Sequence, residues 1–137
     1  MPDTRPNPDA LRQSIEEEIT LVAAFITLLE EEANVLADGA DAEALGKVTA
    51  GKNKAADNLA KAAQQRNTLL DAMGAGIDKE GLETVVTRYP QLYEPVRQLL
   101  EKTAQASMLN NDNGRIISRY LSQIQQALDV LQHLTGR

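Results

Sequence analysis

Apolar residues recur every three or four positions along most of the chain, which is the period of an amphipathic helix. Three long stretches keep this period, over residues 8–38, 41–73 and 95–134, and a shorter stretch spans residues 78–89. No proline interrupts residues 9–89, so no missing amide hydrogen breaks a helix there. The pattern predicts an all-α fold, an elongated antiparallel bundle of three long helices with one short helix before the last.

Capping residues stand where the predicted helices begin. Asn7 and Pro8 are a typical N-cap and first helical residue, and Asp41 can cap the second helix. We therefore expect residues 1–7 to form a flexible lead-in and residues 8–137 to form a single helical-bundle domain.

Charge favours an antiparallel pairing of the first two helices. The first helix carries eight acidic residues against Arg12, whereas the second carries five basic residues against three acidic ones. The acidic residues of the first helix include two glutamate runs, 16–18 and 30–32. Consecutive residues point in different directions around a helix, so we interpret both runs as a solvated acidic face and not as a metal site.

Composition excludes several classes of function. A net charge of −6 makes nucleic acid a poor partner, and no apolar run approaches the roughly 18 residues of a spanning helix. Cysteine is absent, and the only histidine, His133, lies near the end of the last helix. A phosphorelay or other enzymatic role would rest on that residue alone. We therefore expect a cytoplasmic protein that is not an enzyme and takes no cofactor, metal or small-molecule substrate.

Three unfavourable residues lie together in the middle of the last helix. Asn110 and Asn113 fall on its apolar seam, where an unpaired buried amide costs about 1–3 kcal/mol. Gly114 in a helix interior costs about 1 kcal/mol relative to alanine. Two interpretations remain open: a polar layer that sets the register of the bundle, or a partner contact or flexible point in the helix.

This stretch resembles the Asn-x-x-Asn-Gly-x-Leu/Ile-Ile signature in the last helix of FlgN-type flagellar export chaperones of the type III secretion system. The matching positions are Asn110, Asn113, Gly114, Ile116 and Ile117. The resemblance implies a cytosolic chaperone for hook-associated proteins, which form the hook–filament junction. Such a chaperone binds the client's C-terminal helical segment, keeps it monomeric and delivers it to the export gate at the membrane.

The apolar positions of the last helix form a band wider than one seam, so this helix can serve a second neighbour. The thin, alanine-rich stripe of the second helix leaves room for a groove in which a client helix could lie. The predicted partner-binding residues are Asn110, Asn113, Gly114, Ile117, Tyr120, Leu121, Ile124, Leu128 and Leu131. The alternative is a self-associating coiled-coil adaptor or structural protein, in which the same band joins two copies in a homo-oligomer.

Overall fold

Four α-helices make up most of the chain in the computed structural model, which describes residues 7–39, 41–77 and 79–134. They are α1 (Pro8–Ala37), α2 (Ala42–Ala72), α3 (Lys79–Arg88) and α4 (Tyr93–Leu134), with a 3₁₀ turn at Pro90–Leu92. In α4 the described side chains reach Ser118, with only Ser122, Gln126 and Asp129 beyond it. The described residues contain no strand, which confirms the predicted all-α fold, and the predicted arrangement of three long helices and one short helix is matched only in outline.

The ends of α1 and α2 follow the predicted capping chemistry. The side-chain oxygen of Asn7 accepts a hydrogen bond from the amide of Ala10 at 3.0 Å, and that of Asp41 accepts one from the amide of Glu43 at 2.9 Å. Gly39 and Gly74 follow the two helices with φ of +101° and +72°. Because L side chains rarely adopt this left-handed conformation, glycine is the favoured residue at both helix ends.

The last helix begins earlier than predicted. The 3₁₀ turn leads into α4 at Tyr93, whose amide donates to the carbonyl of Pro90, so the predicted start at Pro95 is wrong by two residues. Pro95 is tolerated because the first turn of a helix needs no intrahelical amide donors. Asp78, the expected start of α3, and residues 1–6 of the expected lead-in lie outside the described residues. The lead-in and the domain bounds therefore stay predictions.

Helix α1 is the central element of the bundle and packs against α2 on one side and α4 on the other. Helix α2 runs antiparallel to α1, as the charge pattern predicts, since Glu18 pairs with Arg66 and Glu32 pairs with Lys52. Helix α4 runs parallel to α1. The core is aliphatic, and its most deeply buried apolar residues are Leu11, Ile15, Leu29, Leu70, Val85, Leu92 and Leu99.

Two features of this packing bear on function. Helices α2 and α4 make little direct contact, so a groove runs between them above α1. Helix α4 is also longer than α1, 42 residues against 30. Because Asn113 lies beside Leu29, the part of α4 after about residue 121 extends past the end of α1 at about 1.5 Å per residue. Helix α1 is therefore too short to cover the distal part of α4.

Candidate partner-binding site

A buried polar layer joins the three long helices near the middle of α4. Glu32, only 1% exposed, accepts hydrogen bonds from the ammonium of Lys52 at 3.0 Å on both carboxylate oxygens. The side-chain amide of Asn113, 3% exposed, donates to Glu32 Oε1 at 2.9 Å and to the carbonyl oxygen of Leu29 at 2.8 Å. The Lys52 ammonium also donates to Asn110 Oδ1 at 3.3 Å. One carboxylate thus receives a donor from both α2 and α4.

A second buried carboxylate lies two heptads earlier on α1. The Arg66 guanidinium donates through Nη1 to Oε2 of Glu18, which is 6% exposed. Among the described residues, Glu18 Oε1, Arg66 Nε and the hydroxyl of Ser14 have no hydrogen-bond partner. Arg66 lies two heptads after Lys52 on α2, so the two ion pairs repeat one antiparallel register. This second pair joins α1 to α2 and leaves part of its own polar surface unpaired.

These contacts correct the interpretation of both glutamate runs as a solvated face. Glu18 and Glu32, the last residue of each run, are buried and ion-paired, whereas the other four glutamates are exposed. The physical reason is register: Glu18 follows Ile15 by three residues and Glu32 follows Leu29 by three, so both lie on the buried stripe of α1. Their position on the stripe, opposite basic residues of α2, was the available sequence signal.

The predicted site residues divide into four groups in the structure. Asn113 is buried, Ile117 is half-buried, and Asn110 and Gly114 are exposed. The placement of Asn110 on a buried seam is wrong, because α4 faces an open groove at this position instead of a closely packed α2. The side chains of the remaining predicted residues lie outside the described part of the chain: Tyr120, Leu121, Ile124, Leu128 and Leu131. The side chain of His133 also lies outside it.

Of the two interpretations of the Asn-Gly stretch, the structure supports a polar layer at Asn113. Its amide nitrogen is fully used within the chain. Gly114 differs, because a methyl group built on its Cα would meet no atom within 4 Å beyond its own stretch of helix backbone. It stands in a regular part of α4, beside the exposed residues Asn111, Arg115 and Ser118. The fold of the described residues therefore gives no steric reason for a glycine here.

The groove between α2 and α4 has a volume of about 210 Å³ and a mainly apolar lining. Val22 and Phe25 of α1 form its floor, and Leu59 of α2 forms one wall. The α4 wall consists of Thr103, Ala106, Ser107 and Asn110. Asn110 thus joins the groove to the polar layer, since it accepts a hydrogen bond from Lys52. No sequence pattern marks Phe25, the only phenylalanine of the chain, as part of this surface.

Comparison with protein-family models gives a match to the FlgN protein family over residues 1–137. The chain belongs to the FlgN family. It is therefore a flagellar export chaperone, and its partners include flagellar export substrates. Comparisons with curated proteins and with solved structures return no match. Among the described residues, no helix has both the length and the apolar character needed to cross a membrane.

Proposed function

We propose that this FlgN chain works in the cytoplasm as a chaperone for hook-associated proteins of the hook–filament junction. It binds their C-terminal helical segment, keeps them monomeric and delivers them to the type III export gate. This role involves no catalytic step and no cofactor. Family membership supports the general role, and the geometry of α4 supports the mode of binding.

The length of α4 is the observation that carries the proposal. Its last 13 residues or so, about 20 Å at 1.5 Å per residue, extend past the end of α1. In sequence this segment holds four aliphatic residues at spacings of three and four, Leu121, Ile124, Leu128 and Leu131. An amphipathic client helix offers anchors at the same spacings, so it is a suitable partner for this stripe.

Gly114 and the α2–α4 groove supply a continuation of that surface towards the body of the bundle. A glycine on an exposed helix face permits the backbone of a second helix to approach closely, because it presents no side chain. The groove floor at Val22 and Phe25 then offers apolar surface for one or two further anchors. A client helix that follows α4 from its distal end would meet Gly114 first and the groove next.

The direct test is a pair of charge-insertion variants on the distal part of α4. Ile124→Glu with Leu128→Glu places two carboxylates on the aliphatic stripe, and binding of a purified junction-protein C-terminal segment should fall by about a hundredfold or more. Ser122→Glu with Gln126→Glu adds the same charge at two exposed positions and should bind within about threefold of the parent chain. Isothermal titration calorimetry measures both. Equal affinities for the two variants would refute this surface.

Self-association is the second candidate, since the same aliphatic stripe could pair two copies of α4 as a coiled coil. Sedimentation equilibrium of the parent chain and of the Ile124→Glu/Leu128→Glu variant separates the two functions. A chaperone with a free client surface sediments as a monomer at micromolar concentration. A dimer that dissociates in the variant would favour the adaptor or structural role.

A further inference from the structure

A second groove lies at the other end of α4, where its first turns pass α3. It has a volume of about 330 Å³, and almost all of its lining is apolar. Val86 of α3 and Tyr93, Val96 and Leu100 of α4 form this lining. Tyr93 is 58% exposed and Leu100 is 37% exposed, so both side chains present apolar surface that the bundle does not cover.

This groove is preformed by a rigid corner of the fold. The 3₁₀ turn that starts at Pro90 leads into α4, and Pro95 restricts the backbone of the first helical turn. Val85 of α3 and Leu92 of the turn are both fully buried and hold the corner to the core. A preformed site loses little conformational entropy on binding, so a few exposed anchors can give useful affinity.

The rim of the groove is acidic. The guanidinium that lines it, Arg97, already donates to Glu101 at 2.6 Å and also pairs with Glu94. The hydrogen bond from Arg97 lowers the pKa of Glu94 below its usual value, so the carboxylate of Glu94 is ionised at neutral pH. On the α3 side Glu83 lines the groove, with Glu80 one turn earlier and also exposed. Around the groove these four glutamates outnumber the two guanidiniums, Arg97 and the exposed Arg88 that follows Thr87 of the lining.

We propose that this groove is a second docking site, and that its occupant is an amphipathic helix of another protein with lysine or arginine on both sides of its apolar face. Tyr93 and Leu100 serve as the anchors on the chaperone, since exposed aromatic side chains beside a preformed apolar groove commonly carry binding energy. The acidic rim selects basic flanks by charge complementarity. The same charge opposes nucleic acid and opposes a second copy of this acidic chain.

The position of the groove allows it to act together with the client surface. Leu100 and residue 121 of α4 are about 30 Å apart along the helix axis at 1.5 Å per residue. A helix bound between α3 and α4 is therefore remote from a client on the distal part of α4. Where the client continues into the α2–α4 groove, as far as Thr103, it lies on the side of α4 that faces Leu59 of α2 and not Val86 of α3. One chain could hold its client at one end and a basic helical partner at the other.

The probe for a test is a synthetic amphipathic peptide with leucines at i, i+4, i+7 and i+11 and lysines flanking that face. A matched peptide carries glutamate in place of each lysine. Fluorescence anisotropy with the full chain should give at least about tenfold tighter binding for the lysine peptide at low ionic strength. Comparable affinities for the two peptides would overturn the proposal.

Three single variants locate the binding on the chaperone. Tyr93→Ala and Leu100→Asn should each weaken binding of the lysine peptide by about tenfold or more. Met108→Asn is the matched control, because Met108 is a 59% exposed apolar residue of α4 that does not line the groove. Its affinity should stay within about twofold of the parent chain. Equal losses in Leu100→Asn and Met108→Asn would contradict the assignment, and circular dichroism confirms that each variant folds.

A variant of one docking site should leave binding at the other site unchanged. Tyr93→Ala should leave calorimetric binding of the junction-protein segment unchanged, and the Ile124→Glu/Leu128→Glu variant should still bind the lysine peptide. Sedimentation equilibrium tests whether the groove instead binds a second copy of the chain. A parent dimer that Leu100→Asn converts to monomer would make the groove a self-interface and overturn the proposal.

Discussion

Glu18 and Glu32 occupy equivalent positions on α1, two heptads apart, but their surroundings differ. Both oxygens of Glu32 are hydrogen-bonded, and its donors come from α2 and α4. Glu18 has a donor on one oxygen only, from α2. Glu32 thus joins three helices, α1, α2 and α4, whereas Glu18 joins only α1 and α2.

The difference indicates how the position of α4 is specified. Apolar packing alone tolerates small shifts along a helix, whereas a buried carboxylate must keep its donors because an unpaired buried charge is costly. Asn113 of α4 meets this requirement at the level of Glu32. We infer that this single layer sets the register of α4 against α1. The register in turn determines how far the distal part of α4 extends past the bundle.

Removal of each carboxylate is expected to give the largest change in stability. Glu32→Ala leaves the ammonium of Lys52, whose side chain is 19% exposed, without its carboxylate partner and should lower the free energy of unfolding by about 3–5 kcal/mol. Glu18→Ala should cost about 1–3 kcal/mol, because it also removes a buried acceptor that has no donor. Urea unfolding of the two variants measures the difference. A larger loss for Glu18→Ala would contradict the assigned roles.

Asn113→Ala tests the α4 side of the layer with a smaller expected effect. It deprives Glu32 of one donor and should lower the free energy of unfolding by about 1–3 kcal/mol. Asn111→Ala is the matched control, since Asn111 is exposed on the same helix, and it should change stability by no more than about 0.5 kcal/mol. Equal effects of the two substitutions in thermal or urea unfolding would refute the polar layer.

Gly114 faces outward, whereas its neighbour Asn113 faces inward. Gly114→Ala should therefore stabilise the protein, whereas Asn113→Ala should destabilise it. Alanine is the better helix former and its methyl group meets open space, so the free energy of unfolding, measured with urea, should rise by about 1 kcal/mol.

Gly114→Leu should keep the fold but weaken binding of the junction-protein segment, because the leucine side chain blocks the close approach of a second helix. Isothermal titration calorimetry measures this binding. Stronger or unchanged client binding in Gly114→Leu would remove Gly114 from the site.

The spacing of apolar residues was enough to predict the four helices, because helix ends and the buried stripe of α1 depend on local chemistry. The burial of Glu18 and Glu32 was missed because a charge in a glutamate run is usually solvated. Their burial depends on two basic residues of another helix, Arg66 and Lys52. Pairing between distant residues is not visible in the periodicity of a single helix.

The candidate site was only partly predictable for a similar reason. Periodicity placed Asn110 and Asn113 on one seam, but only Asn113 is buried, because α2 and α4 leave a gap between them. The width of that gap follows from three-helix packing, and the sequence of α4 does not encode it. The contribution of Phe25 to the groove floor was missed because no pattern set this residue apart from other apolar positions of α1.

We expect a client helix to bind the distal part of α4 and to continue into the α2–α4 groove. Hydrogen–deuterium exchange of the full chain, with and without a junction-protein C-terminal segment, tests it most directly. We expect slower exchange in residues 114–134 and around Leu59 when the segment is bound, with residues 83–100 unchanged. Slower exchange confined to residues 83–100, or unchanged exchange across α4, would contradict it.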